Sequence, residues 1–112
     1  MTKSDNFFLV VAEQIDATQR NLIQHMIRTE AEDWWHESLD LWIVRGGESA
    51  NDWRKRLGVF VPSAPSGIFV FKLPQAKSER SLAWRLAKGY ERTKWLYEVF
   101  LEKEPPTPKP KS

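Results

Sequence analysis

The chain contains no cysteine. That absence excludes a disulfide framework, a thiolate metal site and a cysteine nucleophile. Histidine is nearly as scarce, and its two copies, His25 and His36, lie apart in sequence. His25 falls between Ile23 and Met26 on the polar side of an expected helix, so a two-histidine metal site is not expected. Five glycines in 112 residues form no phosphate loop and no dinucleotide fingerprint, and no serine-hydrolase elbow or zinc spacing is present. No stretch approaches the roughly 20 apolar residues of a membrane span, and "MTKSDN" at the start lacks the apolar run of a signal peptide. A soluble, cytoplasmic protein with no membrane association is expected.

Aromatics are plentiful. Six tryptophans and 41% hydrophobic residues argue for a packed core, because each buried aromatic removes roughly 150 to 250 Å² from water. The length suits one domain, expected over residues 1–103, with the proline-rich "KEPPTPKPKS" leaving 104–112 as a disordered tail. A formal charge of +2 and a pI near 9.0 permit nucleic-acid binding without demanding it.

"FFLVVA", Phe7 to Ala12, reads as a central strand covered on both faces. Asp16 and Gln19 have the spacing of a capping box, and Leu22, Ile23, Met26 and Ile27 follow at helical spacing, ending near Glu32. From Trp34 to Arg45 the pattern alternates, with large groups on both faces, and suits one long strand or two short ones joined at a bulge. Gly46 and Gly47 break it. Ser49 opens a short helix whose Ala50, Trp53 and Leu57 share a face and which Gly58 ends. Ile68 to Leu73 is a further strand, and Ser78 to Glu102 is helical in pattern, with Leu82, Leu86, Tyr90, Tyr97, Phe100 and Leu101 on its expected buried side. The order implies an α+β fold with a small antiparallel sheet, helices on one face and an extra C-terminal helix. A ferredoxin-like plait is the simplest such architecture.

Several residues are candidates for chemistry. His36 can serve as a general base near neutral pH, or pack among tryptophans at a sheet rim; the packed reading is favoured. Glu13 and Asp16 could form an acidic pair at the end of the first strand and bind a metal there, although Asp16 also reads as a helix cap. Arg54, Lys55 and Arg56 beside Trp53 could grip phosphates. Arg85 and Lys88 extend a basic series, with Arg80, Arg92 and Lys94, that interleaved glutamates dilute.

"WWHESLDLWIV", then "SANDWRKRL", then "GIFVF" resemble the SinR-like family of small ferredoxin-fold proteins. These are relatives of the small CRISPR-associated adaptation endonuclease and of VapD-type toxin ribonucleases. The resemblance rests on Trp-His, a tryptophan six residues after the histidine, a Ser-capped short helix and a closing strand. It covers Phe7 to Leu73, with a weaker echo in "WRLAKGYERTKWL". It implies a homodimer, with Glu13 where nuclease members carry a metal-holding aspartate that is one methylene shorter. Two functions follow as expectations. One is a non-catalytic or regulatory homodimer associated non-specifically with RNA or DNA and needing no cofactor. The other is a ribonuclease or deoxyribonuclease using Mg²⁺ or Mn²⁺, with Glu13 as ligand and His36 assisting. A protein-binding module is a third.

Overall fold

A computed structural model describes residues 4–36, 40–79 and 94–102. The chain divides into two compact units, Met1–Gln75 and Ala76–Ser112. In the first, strand β1 (Phe7–Glu13) leads to helix α1 (Ala17–Glu30), strands β2 (Asp33–His36) and β3 (Leu41–Arg45), helix α2 (Ala50–Gly58) and strand β4 (Gly67–Lys72). The strands form one antiparallel sheet in the order β2-β3-β1-β4. The expected α+β class with a small antiparallel sheet is observed. Among the described residues no helix is long and apolar enough to cross a membrane.

Local chemistry sets the helix starts. The Asp16 carboxylate accepts the Gln19 N–H at 2.8 Å while the Gln19 side chain accepts the Asp16 N–H at 2.9 Å, so two otherwise orphaned donors are satisfied together. The Ser49 hydroxyl likewise accepts the Asp52 N–H at 3.0 Å. The helix α1 stops at Glu30, two residues before the expected end, as Ala31 turns extended. Its buried stripe is narrower than the spacing predicts: Ile23 and Ile27 are buried and Met26 is partly buried, but Leu22 is 45% exposed.

The alternating stretch from Trp34 to Arg45 is neither one long strand nor two joined at a bulge. It folds back on itself, with Trp34 opposite Val44 and His36 opposite Trp42. Residues 34–45 contain no glycine or proline to announce that reversal.

One core fills the space between the sheet and both helices. Phe8, Val10 and Ala12 of β1 and Trp42 and Val44 of β3 meet Ile23 and Ile27 of α1 and Trp53 and Leu57 of α2. Burying each of the valine, leucine, isoleucine and phenylalanine side chains among them contributes about 1.5 to 3 kcal/mol. The turn between β3 and α2 fits tightly against this core. Gly46 and Gly47 hold φ of +104° and +95°, and Trp53 Nε1–H donates to the Gly46 carbonyl at 3.0 Å. A Cβ at Gly47 would fall onto Trp53 Nε1.

The other sheet face is apolar too, as the unbroken run in β1 predicts. Phe7, Leu9 and Val11 share it with Leu41 and Ile43 of β3 and with Phe69 and Phe71 of β4. Arg45 is buried on this face, its guanidinium 5.0 Å over the Phe7 ring and its Nε–H donating to the Ser4 carbonyl at 2.6 Å.

In the second unit a 3-10 turn covers Lys77–Glu79, and Leu96–Leu101 winds as a π-helix with Leu96 and Phe100 buried. The middle of the expected helix, Arg85 and Lys88 included, and the tail 104–112 lie outside the described residues.

Candidate functional site

Two regions bring chemistry-bearing side chains together. The first is the C-terminal end of β1, where the chain leaves the sheet through Gln14, whose φ is +50°. Glu13 is exposed there, opposite Gly67 of β4. Asp16 is three residues on, one carboxylate oxygen already engaged by the α1 cap. Beside them Arg20 of α1 meets Asp40, at the start of β3, through Nε and Nη2, the latter at 3.1 Å. The hydrogen bond to Asp40 raises the Arg20 pKa above its already high value, against the opposing pull of desolvation, and the charges of Asp40 and Asp16 add to the rise. This ion pair ties α1 to the β3 start, and Asp40 is held there by its carbonyl, which accepts the Ala12 N–H at 2.8 Å.

His36 stands elsewhere. It lies opposite Trp42, with the two rings stacked 4.6 Å apart at 13°, and Trp42 is opposite Val10 on the helix-covered face. Glu13 shares the parity of Leu9 and Val11, so its side chain belongs to the other face. The sheet thus separates Glu13 from His36 within one chain. Among the described residues no group of three or more His, Asp or Glu side chains converges to hold a metal ion. One Asp16 carboxylate oxygen is committed to the α1 cap, which leaves its other oxygen and the Glu13 carboxylate as the free donors at this corner.

The second region is the outer surface of α2 and the neighbouring edge strand β4. Arg54, Lys55 and Arg56 are all exposed, but they are not equivalent. Arg56 is neutralised by Glu30 at 2.9 Å and Asp52 at 3.4 Å, and it approaches Trp53 at 6.0 Å. Arg54 donates only to the neutral Asn51 side chain, at 2.8 Å. Lys55 has no carboxylate partner among the described residues. A groove of about 320 Å³ runs between the helix and the strand, lined by Ala50, Asn51, Arg54, Ile68, Phe69 and Val70. Phe69 and Phe71 are 52% and 53% exposed.

Sequence reasoning identified the cations of α2 but missed the groove and the two phenylalanines beside it. The signal was present in the alternation of "IFVFK", which sets both rings on one face of the strand. The position of β4 at the sheet edge was not legible from that pattern. Comparison of the chain with protein-family models, curated proteins and solved structures finds no match in any of the three.

Proposed function

We propose that the protein is a non-catalytic, homodimeric, nucleic-acid-associated protein of the cytoplasm that grips phosphates without reading sequence. The observation that carries this reading is the state of the α2 cations. Arg54 and Lys55 are exposed and, among the described residues, uncompensated by carboxylates, whereas Arg56 is neutralised. Two such cations on one helix supply affinity through counterion release but no base-specific geometry. Binding is therefore weak, indifferent to sequence and steeply dependent on salt. The βαββαβ order with β1 and β3 central supports a ferredoxin-like plait, and the Trp-His spacing supports the SinR-like resemblance. The nuclease reading is less favoured, because Glu13 and His36 lie on opposite sheet faces.

The test is a fluorescence anisotropy titration of labelled single-stranded RNA and DNA at about 50 and 200 mM salt, comparing wild type with an Arg54→Ala, Lys55→Ala double variant. Each lost phosphate contact should flatten the slope of log affinity against log salt by about 0.7 for single strands. Affinity absent at both salts, or unchanged by the double substitution, refutes the reading. Cleavage of the same probes with Mg²⁺ or Mn²⁺ that disappears in Glu13→Ala would install the nuclease in its place.

A further inference from the structure

Among the described residues the outer edge of β4 is left unpaired, in a way that fits one particular occupant. Leu73 N–H donates to the Phe7 carbonyl, and the β1·β4 register pairs Leu9 with Phe71 and Val11 with Phe69. In an antiparallel ladder hydrogen-bonded and non-hydrogen-bonded pairs alternate, so Phe69 and Phe71 turn their main-chain groups toward β1. Those of Ile68, Val70 and Lys72 then point away from the sheet. The Ala12 N–H, opposite Ile68, agrees: it is directed to Asp40 on the β3 side. Among the described residues nothing meets this row. The strand also lacks the usual protections of an edge, having no proline, no bulge and no charge before Lys72 at its end.

We propose that β4 pairs with β4 of a second copy, antiparallel about a two-fold axis through Val70, to join two four-stranded sheets into one of eight. This rests on the homodimeric part of the reading above and names its interface. The strand is self-complementary in that register. Val70 faces Val70 and Ile68 faces Lys72, all in hydrogen-bonding positions, giving about six main-chain hydrogen bonds across the join. On the apolar face Phe69 of each copy comes opposite Phe71 of the other, so four half-exposed rings close over one another as cross-strand aromatic pairs. On the helix side, the groove floored by Ile68 and Val70 receives Val70 and Lys72 of the second copy. Shifting the register by two residues in either direction breaks the pairing of Phe69 with Phe71. The four rings bury on the order of 400 Å². With the strand backbones the join still falls below the 1,200 to 2,000 Å² or so of a standard interface, so a dimer with a dissociation constant on the order of micromolar is expected. The arrangement also sets Arg54 and Lys55 of both copies on the helix-covered side of one continuous sheet, doubling the basic surface.

The natural absence of cysteine makes the test direct. Two residues facing each other in a hydrogen-bonded antiparallel pair have Cα atoms about 5.5 Å apart, within disulfide reach. Val70→Cys should therefore crosslink to a dimer under mild oxidation, while Val59→Cys, 66% exposed at the far end of α2, should not. In sedimentation the wild type should be dimeric at tens of micromolar, and Val70→Pro should weaken association at least tenfold. Proline there removes an N–H that is unused within the chain, a substitution edge strands accept. Should Val70→Pro fail to fold, Phe71→Lys alters a half-exposed side chain and must weaken association by at least tenfold instead. A wild-type dimer in which Val70→Cys does not crosslink overturns this interface and leaves the homodimer standing. A wild type that stays monomeric to about 100 µM overturns both.

Discussion

Trp42 and Trp53 are both fully buried in the same core, yet their indole N–H groups are in opposite situations. Trp53 Nε1–H donates to the Gly46 carbonyl, whereas Trp42 Nε1–H has no partner among the described residues. Replacing each by phenylalanine removes similar volume from similar surroundings, so the packing cost largely cancels between the two variants. The polar terms do not cancel. Trp53→Phe loses a hydrogen bond worth about 0.5 to 1.5 kcal/mol and strands a buried carbonyl. Trp42→Phe instead removes an unsatisfied donor whose burial costs about 1 to 3 kcal/mol, and the smaller ring can still stack on His36. Trp53→Phe should therefore be the more destabilising by about 2 to 4 kcal/mol. At about 4 to 8 °C per kcal/mol for a domain of this size, the two melting temperatures should differ by more than about 8 °C. Urea unfolding followed by far-UV circular dichroism gives the comparison, provided both variants keep the wild-type m-value. A Trp42→Phe that costs as much as Trp53→Phe would refute the reasoning, since it would mean that the Trp42 N–H is satisfied after all.

Gly47→Ala should cost about 2 to 4 kcal/mol in the same assay, because alanine is strained at φ +95° and its Cβ displaces Trp53 from the Gly46 carbonyl. Ser49→Ala should cost about 1 kcal/mol through loss of the α2 cap, and Ser49→Asp should restore most of it. Asp40→Asn should lower stability modestly and more so at low salt, since the pair it breaks is partly solvent-exposed. Arg20 has its pKa raised in the fold, so its contribution is present below the unfolded value and lost only as pH climbs through the folded one. Both lie far above neutrality, and the difference between wild type and Asp40→Asn in thermal melts should not acquire a slope from Arg20 between about pH 6 and 9.

What could be read in advance was local. The capping box at Asp16 and Gln19, the Ser49 cap, the two-faced β1 and the burial of Trp42 and Trp53 all follow from residues within a turn or a strand of one another. What could not be read depends on contacts distant in sequence. Arg45 ends a strand beside two glycines and looks exposed, but Ser4 and Phe7, some forty residues earlier, enclose it. The fold-back between His36 and Leu41 carries no glycine or proline, so the pattern reads as one continuous alternation. That single ambiguity decides the candidate site. Which face His36 occupies is fixed only by its pairing with Trp42, and until that register is known His36 and Glu13 can be imagined on the same side.

Their separation also bears on whether a second copy could reunite them. In the joined sheet the strands run β2-β3-β1-β4-β4-β1-β3-β2, so Glu13 on β1 of one copy lies five strand spacings, about 24 Å, from His36 on β2 of the other. Within one copy the same residues are two spacings apart and on opposite faces. An acid–base pair acts at about 3 Å or through a single water, so neither arrangement lets the two residues work together. A nuclease built on Glu13 and His36 therefore requires a dimer that brings the end of β1 against the β2 edge, leaving β4 open. Locking the β4 join through Val70→Cys would hold the protein in a form from which any such activity is absent, while phosphate binding through Lys55, which does not line the groove that the second copy fills, would survive. The choice of interface and the choice of function are thus a single question for this sheet.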